Sequence, residues 1–444
     1  MSSLSFARKV FSNTLFSIAD VLILKIGTTL AFIVLVRLLS AEAIAAVGIA
    51  TGYLLFISYL DVAPIRILLR DYPKVVGDST KRNELLTALF SFWCLQTVLM
   101  LLLAGALIAF VIAPLDIQSL AFLYIAMTID FIALSLQSWL KIIYYADFRQ
   151  RAATRLSLFL GIGRLAVYGL LLFMPSLVTY SWILIASAFG TGLTWFTAFF
   201  RSFQYSVSWH ARSPALLLES LKSYGLWDHL NRLVIDTLLT VDLVILSWNA
   251  GTRDMSSYTI ALRFVSLLTL IPLQLNAALQ VAAANYETAM ERSRAIGAVV
   301  KINFLVSVVQ LLGIFLFGRW LMALLFGSHV APEAFHYMLV LAGGVTLFNL
   351  SVPLMGVINN HCRMDKAFAF VFLPELIFGT AVYTVSAATF GAVGIAWGKV
   401  VACGALATGL WVFVAKCSPV TIERRLITSA ETALLRKLFK GATE

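Results

Sequence analysis

Residues 85–112 read LLTALFSFWCLQTVLMLLLAGALIAFVI, without one charged side chain. At about 1.5 Å of rise per residue, a helix of that length outspans the ~30 Å hydrocarbon core of a bilayer. Water offers no fold that needs such a run, and lipid does. Lipid cannot hydrogen-bond a backbone, so the run has to satisfy its own amides as an α-helix. The rest of the chain repeats the theme. Apolar runs of spanning length recur at about 13–36, 43–65, 85–112, 119–145, 156–174, 180–200, 223–247, 257–283, 298–317, 333–357, 368–389 and 392–414. The composition agrees, with 61% hydrophobic and 12% charged residues, where a soluble domain carries about 25% charged. The fold class read here is all-α: a polytopic membrane protein of about twelve transmembrane helices.

The basic residues orient it. With the N-terminus placed inside, 23 of the 33 lysines and arginines fall in inner segments, three in outer loops and seven within spans. Such a bias supports the helix count and puts both termini in the cytoplasm. The net charge of +11 is therefore a topology signal rather than a nucleic-acid footprint. Arg8 and Lys9 precede a first apolar run that lacks a small-residue cleavage site, which reads as a retained helix. Breakers mark several joints: Pro114, Met174-Pro175, Asn249-Ala250-Gly251 and Phe390-Gly391. The largest outer loop, about 318–332, is expected to hold an interfacial helix through Trp320, Leu321 and Phe326. No loop can house a soluble catalytic domain, and no G-x-x-x-x-G-K-[ST] is present, so the chain reads as neither an enzyme nor an ATPase. Four cysteines show no metal spacing and no disulfide framework. No cofactor is expected. The domain reading is an N-terminal six-helix bundle (1–200), a basic cytoplasmic linker (201–222), a C-terminal six-helix bundle (223–414) and a basic amphipathic cytoplasmic tail (415–444). Two bundles of six, with a weak internal likeness, are the pattern of transporters built from repeats.

Four stretches add a resemblance. Val36-Arg37-Leu38-Leu39-Ser40-Ala41-Glu42 leads into Ala46-Val47-Gly48, and Asp61-Val62-Ala63-Pro64-Ile65-Arg66 follows. Leu324-Leu325-Phe326-Gly327 precedes the tenth run, and Phe390-Gly391-Ala392-Val393-Gly394-Ile395-Ala396-Trp397-Gly398 opens the twelfth. In that order these resemble the Wzx-type lipid-linked oligosaccharide flippases of the multidrug/oligosaccharidyl-lipid/polysaccharide exporter superfamily, over essentially the whole chain. Each motif is loose, and this chain has alanine where the family often has phenylalanine before Gly48.

Charges within the spans are the most informative residues, since each costs about 2.5–3.5 kcal/mol at a helix centre unless a partner, a wet cavity or a ligand compensates it. At about 100° per residue, Asp228, Asn231, Arg232, Asp236 and Asp242 share one stripe of about 140° on the seventh run. The stripe is either an i,i+4 ladder that neutralises itself or a polar lining. The resemblance implies a substrate with a diphosphate, which guanidinium and ammonium groups recognise. The candidate diphosphate and sugar contacts are Lys25, Arg66, Arg164, Arg232, Arg263 and Lys399. The candidate coupling-ion or gating groups are Asp20, Asp130, Asp228, Asp236, Asp242 and Glu375. The plainer account of each is a structural ion pair, for example Arg164 with Asp130 or Glu375. Six cations against six acids make a balanced interior. His329, Glu333 and His336 share a helical face that could ligate a metal.

The resemblance therefore implies a flippase of a bacterial inner membrane. Its partners would be a polyprenyl-diphosphate-linked glycan, membrane lipid, and a glycan polymerase with its chain-length regulator; nucleic acid is not among them. It would work by alternating access coupled to a proton or sodium gradient. Rival readings are a drug/cation antiporter or peptidoglycan-precursor flippase of the same superfamily, and an integral-membrane polymerase or acyltransferase.

Overall fold

The computed structural model describes residues 23, 25–62, 72, 75, 77–115, 117, 119–147, 149–207, 226–273, 275–276, 289–328 and 331–417. Asp20, Arg66, His329 and the tail beyond Cys417 lie outside the described residues, as does most of the linker 201–222. The described residues hold no strand. Among the described residues twelve long helical segments follow one another: α1 (25–38), α2 (Ala41–Ser58), α3 (Ser79–Leu115), α4 (Leu120–Ala146), α5 (Gln150–Leu172), α6 (Leu177–Phe203), α7 (Leu226–Asn249), α8 (Thr252–Leu273), α9 (Ala289–Phe326), α10 (Ala331–His361), α11 (364–390) and α12 (392–417). Among the described residues nine stretches are long and apolar enough to cross a membrane, with α11 and α12 counting as one. The chain is a multi-pass, all-α membrane protein.

One expectation is corrected. Trp320, Leu321 and Phe326 do not form a separate interfacial helix, because α9 runs unbroken to Phe326. Gly327 then leaves the helix at φ 102°. The run Leu321–Phe326 continues the apolar pattern, so nothing stops the helix before that glycine.

The chain divides into two compact units, with the boundary between Leu230 and Asn231, inside α7. In the N-terminal unit the core is aromatic. Leu86, Leu89, Trp139, Leu140, Trp195, Phe199 and Phe203 from α3, α4 and α6 are all buried together. In the C-terminal unit Val234, Leu238, Ile296, Val299, Phe348, Val352, Phe372, Leu406 and Leu410 do the same for α7, α9, α10, α11 and α12. The outside is as apolar as the inside: Phe110, Phe173, Leu193 and Phe390 stand well exposed. That is the surface a bilayer requires and water forbids.

Helix ends and bends have local causes. Asp78 caps α3, its carboxylate accepting from the amides of Thr80 and Lys81 at 3.1 and 3.2 Å. The Lys81 amide and ammonium, with the Thr80 amide, hold that carboxyl below the usual aspartate range. Gly391 sits at φ 59°, ψ −140°, and turns α11 back into α12. The two then pack as an antiparallel hairpin. A side chain at Gly398 would meet Tyr383, and one at Gly379 would collide with Leu238 on α7 and meet Ala402 on α12 at 3.4 Å. Gly379 is therefore what lets α11 lie so close to α7.

Prolines account for the remaining bends. A proline cannot donate to the carbonyl four residues before it and presses on it. Pro114 and Pro374 each follow a π-turn, Ile108–Ile112 and Phe368–Phe372, whose central residues Phe110 and Phe370 are 81% and 72% exposed. There the helix widens on its lipid side. Inside the protein a different solution operates. Pro272 frees the Leu268 carbonyl, and Asn349 Nδ2 of α10 donates to it at 3.1 Å. Pro353 frees the Asn349 carbonyl, and Asn303 Nδ2 of α9 donates to that at 3.4 Å. Gln96 Nε2 of α3 donates to the carbonyl of Leu60, just past the end of α2, at 2.8 Å. Asn303 and Asn349 are fully buried and Gln96 nearly so. Buried carbonyls cannot be left without donors, so amide side chains on neighbouring helices supply them.

Candidate functional site: the membrane-embedded charges

The most enclosed polar cluster lies in the C-terminal unit. Asp242 of α7 and Lys399 of α12 are 0% and 1% exposed in their side chains, with Nζ 2.6 Å from Oδ2. The ammonium also donates to the Leu239 carbonyl at 2.7 Å. Tyr258 of α8 donates to the same Asp242 Oδ2 at 2.5 Å, and the Leu243 amide donates to Oδ1 at 3.1 Å. Tyr383 of α11 donates to the Leu238 carbonyl at 2.7 Å. The carboxylate thus has three donors and the ammonium two acceptors. Such saturation is what a buried ion pair needs to offset the loss of water from both charges. Four helices meet here, so the pair fixes the arrangement of α7, α8, α11 and α12. Gly344 of α10 completes the packing, its open side 3.3 Å from the Lys399 backbone.

Glu375 of α11 lies one helical turn from Gly379 and is 7% exposed. Its Oε1 is buried and takes no hydrogen bond. Of the described acids it alone combines such burial with a carboxylate oxygen that nothing in its surroundings neutralises. Arg164 is bonded elsewhere, to Asp130.

That second pair joins α5 to α4 in the N-terminal unit, with side chains 19% and 10% exposed. Tyr168 and Tyr180 pack nearby, their ring planes tilted at 49° with centroids 6.0 Å apart. Ser135 of α4 donates to Asp61, at the end of α2, at 2.8 Å. His229, at the start of α7, bonds the Tyr59 carbonyl at 3.0 Å. Together with Gln96, these contacts tie down the end of α2.

The remaining candidates are placed differently. Lys25 is exposed near the middle of the first apolar run, and Arg263 is exposed on α8 in the outer third of its run. Thr28 and Thr29 hydroxyls bond the Lys25 carbonyl, and the Ser266 hydroxyl bonds that of Arg263. Asp228, Arg232 and Asp236 are half-buried on α7, whereas Asp242 is sealed. The charges of the stripe are therefore graded: half-buried at its start and sealed where Lys399 meets it. At the other end of α8, Arg253 makes a two-pronged bridge to Glu333, and Tyr337 donates to Asp254 at 2.9 Å. Glu333 is thus engaged by a guanidinium, and among the described residues no group of His, Cys, Asp and Glu could hold a metal.

Sequence reasoning missed Tyr258, Tyr383, Gln96, Asn303 and Asn349. Gln96, Tyr383, Asn303 and Asn349 are polar groups within apolar runs, which was the available signal, whereas Tyr258 sits among Ser256, Ser257 and Thr259. Which carbonyl or carboxylate each serves depends on the packing.

No protein-family model and no curated protein matches the chain. Solved structures do match it in fold. An inward-facing multidrug resistance MATE family transporter of the MOP superfamily superposes with a TM-score of 0.69 at 13% identity, covering 96% of each chain. The lipid II flippase MurJ, in an inward closed conformation, gives 0.68 at 13% identity over 90% of this chain and 87% of that one. A MOP superfamily transporter from Pyrococcus furiosus gives 0.62 at 14% over 94% and 98%. Over nearly its whole length, then, this chain has the fold of the MOP-superfamily transporters.

Proposed function

We propose that the protein is a flippase. Its cargo is an undecaprenyl-diphosphate-linked oligosaccharide repeat unit, carried from the cytoplasmic to the outer leaflet of a bacterial inner membrane. Both termini are cytoplasmic, and transport proceeds by alternating access driven by a proton or sodium gradient. The delivered unit passes to a glycan polymerase and its chain-length regulator.

The observation that carries this reading is the sorting of the embedded charges. Lys399 and Arg164 are bonded to Asp242 and Asp130, while Lys25 and Arg263 are exposed within their apolar runs. An exposed cation at that depth cannot rest against hydrocarbon at a cost of about 2.5–3.5 kcal/mol, so it faces a wet surface. Cations on a wet surface within the membrane suit a diphosphate. The ordered motifs of the oligosaccharide flippases and the fold shared with a lipid II flippase support the same conclusion. We assign Lys25 and Arg263, with Arg232 and Arg66, to the diphosphate and sugars. Arg164 ties α5 to α4 within the N-terminal unit, and Lys399 ties α12 to α7 within the C-terminal unit. Asp20, Asp228, Asp236 and Glu375 are left as coupling or gating acids. The second reading, a drug/cation antiporter, is favoured by the uncompensated Glu375 carboxyl.

The test is translocation of a fluorescent undecaprenyl-diphosphate oligosaccharide in proteoliposomes, read by accessibility to an added glycosidase. Lys25→Glu combined with Arg263→Glu should abolish it. Normal translocation by that double variant removes the residue assignment. Gradient-driven export of a cationic dye without glycan movement replaces the flippase by the antiporter.

A further inference from the structure

We propose that one end of the N-terminal unit, where α3 begins, α4 gives way to α5 and α6 ends, is a docking surface for the headgroup of an anionic phospholipid. Side-chain contacts gather those three places. Arg149, between α4 and α5, donates from Nη1 to the Ser202 carbonyl at 3.0 Å. Its guanidinium also lies 5.0 Å from the ring centre of Phe203, the last residue of α6. Tyr144, near the end of α4, donates to the Ser202 hydroxyl at 3.0 Å. Asn83, in the first turns of α3, donates to Ser206 at 2.8 Å, and the Thr87 and Tyr205 hydroxyls are 2.8 Å apart. The charges brought along with them are unequal. Among the described residues these ends carry Lys81, Arg82, Arg149, Arg151, Arg155 and Arg201 against Asp78, Glu84 and Asp147. Asp78 is taken by Lys81, and Asp147 by Arg149. Arg155 and Arg201 are exposed and make no ion pair among the described residues.

What lies beyond the arginines is apolar. Arg151, Arg155, Phe159 and Ile162 follow one another at intervals of three or four residues, so they share one face of α5. All four are exposed, Phe159 at 69% and Ile162 at 59%. On α6, Leu193, Phe196 and Phe200 are exposed in the turns that lead to Arg201. Large apolar side chains left open on two spanning helices meet acyl chains. The guanidinium groups therefore stand where those chains join their phosphates. Two arginines four apart on one face repel each other, and an anion lying against both relieves that repulsion. A phosphodiester is such an anion. Its two unesterified oxygens match the parallel N–H donors of a guanidinium. Basic residues at a membrane surface gain from anionic lipid, and a soluble anion would leave the apolar stripe below them without a purpose. In the orientation proposed above, the surface faces the cytoplasmic leaflet. Its ligand is a lipid of the bilayer and not the transported cargo.

The experiment titrates the purified full chain, in non-ionic detergent, with phosphatidylglycerol or with phosphatidylcholine of the same acyl chains. Native mass spectrometry reads the lipid-bound fraction. The wild type should bind its first phosphatidylglycerol more tightly than its first phosphatidylcholine. Arg151→Gln, Arg155→Gln and Arg201→Gln should each weaken phosphatidylglycerol about fivefold, and the triple variant should bind the two lipids alike. Lysine at all three positions should keep the preference, which marks the glutamine effect as loss of charge and not of fold. Arg319→Gln, an exposed arginine on α9 of the other unit, should behave as wild type. Equal binding of the two lipids by the wild type overturns the proposal, as does a triple glutamine variant that keeps the preference. Displacement of the bound phosphatidylglycerol by millimolar inorganic phosphate would replace the lipid by a soluble anion and overturn it too. None of these readings involves transport, so they stand or fall separately from the flippase assay.

Discussion

Replacing Lys399 by methionine should unmask the energetics of the C-terminal unit. The substitution keeps the volume and removes one charge from a pair whose side chains are 1% and 0% exposed. Removing one partner of a buried pair costs about 3–5 kcal/mol, because the other charge stays desolvated. Here the stranded Asp242 would retain Tyr258 and the Leu243 amide as donors, so Lys399→Met belongs at the low end, about 3 kcal/mol. Asp242→Asn is the harsher change. It leaves an ammonium whose remaining full acceptor is the neutral Leu239 carbonyl, and about 4–5 kcal/mol follows. The double variant removes both charges and should return to within about 1–2 kcal/mol of wild type, as neutral replacements of buried pairs do. For a unit of roughly 200 residues, about 3 kcal/mol lowers the unfolding midpoint by about 6–12 °C. Titration with dodecyl sulfate in mixed micelles, alongside thermal unfolding followed by tryptophan fluorescence, would measure all three. Arg253→Met is the control. Its bridge to Glu333 has side chains 80% and 40% exposed, and such a pair is worth about 1 kcal/mol or less. A silent Lys399→Met, or a double variant as unstable as the two singles summed, would refute the account of a saturated buried pair.

Two further outcomes rest on single hydrogen bonds. Asn349→Leu should cost about 1–3 kcal/mol in the same titration, since the Leu268 carbonyl loses the donor that replaces Pro272's missing N–H. Adding Pro272→Ala should recover part of it by restoring that N–H, and no recovery would show that the amide serves another purpose. Asp78 titrates outside the membrane. Its folded pKa lies below the unfolded value, so its cap on α3 is fully present above about pH 4 and fades as pH falls through the lowered folded value. Amide hydrogen exchange at residues 79–82, taken relative to the intrinsic rate at each pH, should therefore speed up on acidification. In Asp78→Ala it should be fast at every pH; identical profiles in the two proteins would contradict the cap.

Much of this was legible in the chain. The uncharged run 85–112 and its repeats required helices, because lipid supplies no hydrogen bonds. The spacing of breakers placed most joints, and Gly391 turned out to be the hairpin that Phe390-Gly391 suggested. The loop at 318–332 was misread because apolar residues in a loop and apolar residues extending a helix look alike until the stop is known. Charges were legible as a set but not as pairs. The sequence alone made Lys399 and Lys25 equivalent, two lysines in apolar runs, and put Asp242 on the same stripe as Asp228. Only the packing of α7 against α12 separated them. It buried one lysine on an aspartate 157 positions away and left the other exposed. The same holds for the asparagines. Pro272 and Pro353 announce carbonyls without donors, a local fact fixed by covalent structure. That Asn349 and Asn303 supply the donors is a long-range fact, settled when three helices come together. Periodicity and hydropathy act along one helix and are written in neighbouring residues. Neutralisation and hydrogen-bond satisfaction act between helices, and they are decided by which residues the fold makes neighbours.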